Sequence, residues 1–514
     1  MNSDNSIHKR NRPYAVAGFF VIPLLAFAAV SMYRSSEFIV TRDSPSYLYF
    51  GADRPVGYPL FLAFVHMVFK TYAAALPLQL GILSASFGFL AWSFFLYTGK
   101  FWQSIAFELL LFLNPGLLLL ANSILSDSLS AAFIALFVAA LFLVVASSEL
   151  WAIGVFIAVT CVSITFRPVN LALIPAAIAA ILIFGRNKKI PRTALICLLL
   201  LGLFIAQELT PFVHWVRGEP TTHSTPLAQD LVSKTLFRQW PQNNEAERCE
   251  GDLIAKDTIQ ADAYLAEAPE DIRAYLLQDI STYLLFGVVI PELIEKHHFN
   301  SSSDLDPILM CYALSRMKSD PIYFAQAAVD QFWELLTYST YVSSSKHDRI
   351  EGYLRAHPPL FPPSERSYEN LRKLSQLSGS RLLMKAMHLD AEYERAIADL
   401  HLDPKVFASE RNKPIKAPHA RPQILANGLR LFQIVAALLM LAGMPALFGR
   451  KAEKGVLSPW PVLGVLGLAF FGEMTITTIV EIALPRYVYP LWPLLCGALA
   501  IGLSHFWRRL RGQS

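Results

Sequence analysis

The sequence predicts an all-α membrane protein that crosses the bilayer about ten times. Hydrophobic residues make up 54% and charged residues 16% of the 514 residues, and the mean hydropathy is +0.40. Soluble globular domains carry roughly 25% charged residues. The apolar residues also cluster in runs close to the ~20 residues that a helix needs to cross a bilayer. The alternating segments that mark the strands of a membrane barrel are missing.

Ten apolar runs are candidate spans, and a shorter run at 59–69 predicts an interfacial or re-entrant helix. The ten runs are 14–32, 74–97, 104–120, 124–146, 150–166, 169–184, 193–209, 431–448, 461–480 and 488–503. The first run follows a basic N-terminus, as a signal peptide would, but it is long and has no convincing cleavage site. We therefore interpret it as an uncleaved span.

Basic segments predict the orientation, because the cytoplasmic loops of membrane proteins are enriched in lysine and arginine. Lysine and arginine concentrate in 9–12, 185–192, 450–454 and 507–511. Counting spans puts all four segments on one side of the membrane. The sequence therefore predicts a multi-pass protein of the cell (inner) membrane with both termini in the cytoplasm. The loop 33–58 would then be extracytoplasmic.

The segment 211–423 differs from the rest of the chain, since it is polar and has no apolar run of 20 residues. It predicts an extracytoplasmic domain of mostly short helices, such as 271–290 and 321–338. It separates an N-terminal transmembrane module of about seven spans, 1–210, from a C-terminal module of about three, 424–514. Cys249 and Cys311 could pair if this segment faces an oxidising compartment. The small net charge of +4 indicates no nucleic-acid partner.

Carboxylates, arginines and tyrosines collect at the predicted extracytoplasmic ends of the spans. The loop 33–58 contributes Asp43, Tyr47, Asp53, Arg54 and Tyr58. Later stretches contribute Asp127, Arg167, Glu473, Arg486 and Tyr487. Each has an ordinary alternative role. An arginine at a span end reaches the lipid headgroups, an aspartate can cap a helix, and Asp53 can pair with Arg54. An acid within an apolar span, such as Glu473, is costly and more often functional.

As a set, these residues suit a substrate whose phosphate lies at the membrane surface. Arginine binds phosphate oxygens through two parallel hydrogen bonds. A carboxylate can accept a proton from an acceptor hydroxyl as a general base. Asp43 follows Arg42, and a neighbouring arginine keeps a carboxylate ionised at neutral pH.

Several short motifs carry a resemblance to a known class of enzymes. They are Thr41-Arg-Asp-Ser-Pro-Ser-Tyr47, Arg54-Pro-Val-Gly-Tyr-Pro59, Asn114-Pro115, Ser126-Asp127, Phe166-Arg-Pro168 and Pro485-Arg-Tyr487. In order and side, the chain resembles the GT-C superfamily of integral-membrane glycosyltransferases. The resemblance covers the seven N-terminal spans in outline and the final span. Two features depart from the class, namely a single first-loop acid instead of an adjacent acidic pair, and a polar domain placed before the last three spans.

The resemblance implies roles for the residues. Asp43 would be the catalytic base and Asp127 the second acid. Arg54, Arg167 and Arg486 would hold the phosphate. The substrate-binding set is completed by Tyr47, Tyr58, Glu473 and Tyr487.

The implied reaction moves a sugar from a polyprenyl-phosphate donor to a hydroxyl of a cell-envelope glycan, lipid or protein. It is an inverting single displacement on the extracytoplasmic face. No metal is required, because arginines can neutralise the leaving phosphate, although an acid pair can hold Mg²⁺ or Mn²⁺. Two alternatives stay open: an enzyme of the O-antigen ligase or polymerase type, and a transporter or flippase. The sequence lacks the internal repeat and paired broken helices typical of many transporters.

Overall fold

The computed structural model describes most of the predicted spans and part of the polar segment between them. The described ranges are 12–33, 47–48, 54–114, 117–118, 121, 123–147, 149–185, 190–218, 305–319, 321–337, 423–448, 458–480 and 488–510, with isolated positions at 228, 231–232, 249, 266, 293 and 296–297. Within these ranges the chain forms helices and turns and has no strand. The predicted all-α class is confirmed for this part of the chain.

Eight helices are described before the polar segment. They are α1 (Arg12–Tyr33), α2 (Gly57–Phe69), α3 (Ala75–Thr98), α4 (Phe101–Leu111), α5 (Asp127–Ser147), α6 (Leu150–Ile164), α7 (Leu173–Phe184) and α8 (Arg192–Val216). A 3-10 turn, Pro168–Ala172, joins α6 to α7, and another, Tyr72–Ala74, leads into α3.

Five further helices are described in the second half of the chain. They are α9 (Asp306–Ser319), α10 (Pro321–Thr337), α11 (Gln423–Gly443), α12 (Pro459–Val480) and α13 (Trp492–Leu510). The 3-10 turns Met444–Leu447 and Tyr489–Leu491 end α11 and begin the last span, respectively.

Six helical stretches in the described part are long and apolar enough to cross a membrane. They are Ala75–Thr98, Asp127–Ser147, Arg192–Val216, Gly428–Leu447, Pro459–Ile479 and Tyr489–Leu510. These helices indicate a membrane protein. The other predicted spans correspond to shorter apolar helices, and the count of ten stays a prediction.

Helix α4 is shorter than the apolar run that predicted it. The run continues to residue 120, whereas the helix ends at Leu111. Asn114 precedes Pro115, and a proline disfavours the helical conformation of the residue before it. The Asn114 side chain instead accepts a hydrogen bond from the backbone N–H of Leu117, at 3.2 Å.

Helix α5 is the central helix of the described bundle. Its most apolar window is 83% buried, whereas that of α8 is only 17% buried. Helix α3 packs along α5 through aromatic side chains, for example Phe94 and Phe142, whose ring centroids are 5.4 Å apart. Burial of such large side chains is the main source of core packing energy. Both helices present one end to the candidate site described below.

The polar segment contributes a helix to this core. The predicted helix 321–338 is confirmed as α10, which packs against α11 and α12. Phe332 of α10 stacks on Phe471 of α12 with ring centroids 6.2 Å apart. A disulfide joins Cys249 to Cys311 of α9, with Cα atoms 5.7 Å apart, so these two cysteines do pair. The other predicted helix, 271–290, lies outside the described residues.

Candidate functional site

The candidate site begins where the segment before α2 meets the start of α5. The guanidinium carbon of Arg54 lies 5.1 Å from the ring centroid of Tyr47, within the range of a cation–π contact. The Tyr47 ring meets Tyr58 edge-on at 5.0 Å. The Tyr47 hydroxyl shares a buried 2.9 Å hydrogen bond with Ser126 Oγ. Tyr47, which ends the motif 41–47, therefore contacts the Ser126-Asp127 motif, although 79 residues separate Tyr47 from Ser126.

The next residue, Asp127, forms a buried ion pair with Arg167. Asp127 Oδ1 lies 3.4 Å from Nη1 of Arg167, and the two side chains are only 5% and 8% exposed. The same oxygen accepts no hydrogen bond from any residue that the structure describes. Asp127 also begins α5, where a negative charge is favoured by the helix dipole. The pair places a charge-neutral but strongly polar centre at the rim of the bundle.

A buried glutamine holds the segment that leads into Asp127. Gln79, in the first turns of α3, is fully buried. Its Nε2 donates to the carbonyl oxygens of Ala121 and Ser123 at 2.7 Å each, and its Oε1 accepts the Tyr58 hydroxyl at 3.1 Å. Burial first, then Tyr47 and Asp127, raise the pKa of the Tyr58 phenol well above its ordinary value. Tyr58 therefore stays protonated and donates to Gln79.

A buried asparagine ties the turn that carries Arg167 to α5. Asn170 Nδ2 donates to the Ser163 carbonyl at 2.7 Å and lies 3.2 Å from Ser130 Oγ. The backbone N–H of Asn170 donates to the Arg167 carbonyl at 3.1 Å. Ser130 lies about one turn beyond Asp127 on α5. Asn170 therefore fixes the distance between the two members of the ion pair through the backbone.

Gly57 joins the motif Arg54-Pro-Val-Gly-Tyr-Pro59 to the Phe166-Arg-Pro168 turn. The Gly57 N–H donates to the Thr165 carbonyl at 2.8 Å. A Cβ at Gly57 would lie 2.5 Å from that carbonyl oxygen, which is closer than real Cβ contacts. Glycine is therefore required for this close approach. The Gly57–Thr165 hydrogen bond therefore fixes the position of Tyr58, which follows Gly57, relative to Arg167, which lies two residues after Thr165.

The structure brings together five of the nine predicted site residues through a continuous chain of contacts. They are Tyr47, Arg54, Tyr58, Asp127 and Arg167. Glu473 is buried on α12. It follows Gly472, and a Cβ at that glycine would lie 3.2 Å from the Ala172 side chain, at the end of the turn that begins after Arg167.

Three predicted site residues, Asp43, Arg486 and Tyr487, lie outside the described residues, as does Asp53. The turn Tyr489–Leu491, which follows Tyr487 in the chain, packs on α5.

Sequence reasoning missed Gln79 and Asn170, which organise the site. A usable signal was present, since each is an amide within an apolar run, 74–97 or 169–184. A buried amide is costly unless it is hydrogen-bonded, so an amide in a span predicts a specific partner. The sequence does not show which carbonyls those partners are.

The comparisons with known proteins add no relative. A scan against protein-family models, a search of curated proteins and a search of solved structures each return no match. Function is therefore inferred from the residues and their geometry. In the part of the chain that the structure describes, no group of three histidine, cysteine or acidic residues is arranged to hold a metal ion.

Proposed function

We propose that this protein is a GT-C-like membrane glycosyltransferase that moves a sugar from a polyprenyl-phosphate donor to a hydroxyl acceptor. The observation that carries the proposal is the contact chain Arg54–Tyr47–Ser126 and the adjacent Asp127–Arg167 pair. Three distant stretches supply two cations, an acid and aromatic rings to one end of an apolar bundle. A polyprenyl phosphate presents an apolar isoprenoid tail and an anionic head at that same boundary.

Burial separates the roles of the two described arginines. Arg167 is 7% exposed and paired with Asp127, so its charge acts mainly through the field at the site. Arg54 is half-buried and lies over Tyr47, which leaves part of its guanidinium accessible. We assign direct contact with the donor phosphate to Arg54, because an accessible planar fork can bind two phosphate oxygens. Arg167, held by Asp127 and Asn170, stabilises the charge of the leaving group electrostatically, without direct contact.

The proposed reaction is a single displacement at the anomeric carbon. Asp43 accepts the proton of the acceptor hydroxyl while the hydroxyl oxygen bonds to the anomeric carbon. The bond from that carbon to the phosphate oxygen breaks, and the polyprenyl phosphate leaves with the electron pair. Arg54, Arg167 and Arg486 offset the negative charge on the leaving phosphate. The anomeric configuration inverts.

The Cys249–Cys311 disulfide supports an extracytoplasmic position for the segment 211–423. Disulfides persist in oxidising compartments such as the bacterial periplasm. With cytoplasmic termini and ten spans, the candidate site lies on the same side as this segment. A capping and acceptor-selecting role for the segment fits that placement.

The test compares four variants in cells that lack the wild-type copy. Asp43→Asn, Arg54→Gln and Arg167→Gln change the proposed machinery, and Arg192→Gln is the control, because Arg192 is an exposed arginine at the start of α8. Membrane level and thermal midpoint are measured for each protein. We expect the first three to accumulate lipid-linked monosaccharide and lose the surface sugar, and Arg192→Gln to behave as wild type.

The outcomes separate the alternatives. If Asp43→Asn and Arg54→Gln are present at normal level and transfer sugar at the wild-type rate, the proposal is wrong. Accumulation of a whole lipid-linked polymer would instead indicate a ligase or polymerase. A change in the leaflet that holds the lipid-linked sugar, with unchanged transfer in detergent extracts, would indicate a flippase.

A further inference from the structure

The last turns of α13 contain three polar atoms without partners. They are Ser504 Oγ, His505 Nε2 and Arg508 Nε, each shielded from solvent and without a hydrogen bond to any residue that the structure describes. The Ser504 side chain is only 3% exposed. Buried polar groups in native proteins are nearly always hydrogen-bonded. Three such atoms within five residues of one helix therefore indicate a missing partner.

These atoms lie where the ends of three helices meet. Ser504 and Arg508 are four residues apart and lie on one face of α13. The His505 ring meets the Trp460 ring, at the start of α12, with centroids 5.8 Å apart. The Tyr97 ring, near the end of α3, stacks on Phe142 of α5 with centroids 5.4 Å apart, and a Cβ at Gly497 of α13 would lie 4.0 Å from the same Phe142 ring. We call Tyr97, Trp460, Ser504, His505 and Arg508 the α13 cluster.

The α13 cluster and the candidate site lie at opposite ends of the bundle. Gln79 of the candidate site and Tyr97 of the α13 cluster are both on α3, about 27 Å apart along its axis at ~1.5 Å per residue. The hydrocarbon core of a bilayer is ~30 Å thick. When one end of α3 is at one membrane surface, the other is at the opposite surface. The α13 cluster therefore lies at the headgroup level of the second leaflet.

The chemistry of the cluster selects an anionic oxygen ligand. Arg508 Nε can only donate, the Ser504 hydroxyl can donate, and Arg509 adds a further positive charge one turn after His505 on α13. Arg508 is half-buried and its Nε is shielded, so its side chain lies against the bundle instead of extending fully into headgroup water. Tyr97 and Trp460 provide the amphipathic rings that are typical of this depth.

We propose that the α13 cluster binds the phosphate of an anionic phospholipid in the leaflet opposite the candidate site. The half-buried Arg508 side chain shifts to admit the phosphate, whose oxygens then accept from its guanidinium and from Ser504 Oγ. The acyl chains lie along the apolar outer surface of α13. This site is independent of the proposed sugar transfer. Its chemistry follows from the unpartnered donors and their depth alone.

Native mass spectrometry of the full-length protein tests the proposal. The delipidated protein is titrated with phosphatidylglycerol, with phosphatidylcholine and with inorganic phosphate. We expect one retained phosphatidylglycerol, at least tenfold weaker phosphatidylcholine binding, and no competition by inorganic phosphate at millimolar concentration. Competition by inorganic phosphate at that level would overturn the assignment to a lipid.

Two neighbouring arginines give a matched pair of variants. Arg508→Gln removes the shielded donor, whereas Arg509→Gln removes an exposed charge of the same size from the same turn. We expect Arg508→Gln to weaken phosphatidylglycerol binding at least tenfold and Arg509→Gln to weaken it less than threefold. Equal losses would show diffuse attraction by the basic tail, and no loss in Arg508→Gln would show that the cluster is not the site. Ser504→Ala, a smaller change, should weaken binding severalfold with the thermal midpoint unchanged.

Discussion

The polar clusters at the two ends of α3 differ in how many of their buried polar atoms are hydrogen-bonded. At the Gln79 end, the buried amides are bonded to carbonyls and hydroxyls of the chain itself, and Asp127 Oδ1, which accepts no hydrogen bond from a described residue, is ion-paired with Arg167. At the Tyr97 end, three shielded atoms of α13 have no partner among the described residues. Since an unsatisfied buried polar group costs ~1–3 kcal/mol, the first cluster is organised before any ligand arrives. The second is complete only when a ligand supplies the acceptors.

This difference matches the demands on each end. A site that performs chemistry benefits from groups that are fixed in advance, because reorganisation during the reaction raises the barrier. A site that holds a lipid headgroup can be completed by its ligand, because that lipid is present throughout the membrane. The contrast predicts that changes at the Gln79 end alter stability and transfer together. Changes at the Tyr97 end alter lipid binding.

Breaking the buried ion pair is expected to have the largest effect. Arg167→Met removes the cation beside Asp127, which is buried and keeps only that ion pair at Oδ1. Loss of one partner of a buried pair costs about 3–5 kcal/mol, and we expect that loss in the free energy of unfolding, measured by urea unfolding in lipid bicelles.

The double variant Arg167→Met with Asp127→Leu is the control for this prediction. It removes both charges, so it should be more stable than Arg167→Met alone. A double variant that is less stable than either single variant would show that the two charges do not form a unit. Arg192→Gln, at an exposed position, should change the free energy of unfolding by less than about 0.5 kcal/mol.

Removing the glutamine that organises the Gln79 end is expected to have the second largest effect. Gln79→Leu leaves the Ala121 carbonyl without the Gln79 donor and the Tyr58 hydroxyl without its acceptor. The Ser123 carbonyl loses one of two donors and keeps the Leu125 N–H. We expect a loss of about 2–4 kcal/mol, as buried groups are left unsatisfied. Hydrogen exchange should speed up in the segment before Asp127 while the distal half of α3 stays protected. Uniform exchange along α3 would contradict a local role.

The close contact at Gly57 gives a smaller effect with a matched control. Gly57→Ala places a Cβ 2.5 Å from the Thr165 carbonyl oxygen, whereas a Cβ at Gly154 meets no atom within 4 Å. Overpacking of this kind costs about 1–3 kcal/mol. Gly154→Ala, inside α6, should instead be neutral or stabilising by up to about 1 kcal/mol. If the two variants melt at the same temperature, the contact does not constrain the site.

The sequence predicted the helices and the residue types of the site better than their partners. Apolar runs indicate helices because burial and the bilayer impose them, and apolar residues at three- and four-residue spacings indicated α10 in the polar segment. The run 104–120 overestimated the length of α4, since hydropathy does not register the break at Asn114-Pro115. The Asp127–Arg167 pair was present as two separate predictions. Their pairing depends on how α5 packs beside the turn after α6, which no local pattern encodes.

The smallest change, a cysteine label, tests which end faces which side. After reduction, Cys311 should react with a membrane-impermeant maleimide in intact cells, because we place its segment outside the cytoplasm. A cysteine substituted for Arg509 should react only after the membrane is permeabilised, since Arg509 lies beside the α13 cluster. The substitution at Arg509 should not alter sugar transfer. Reaction of both positions in intact cells would put α9 and the α13 cluster on one side of the membrane and would contradict the predicted topology.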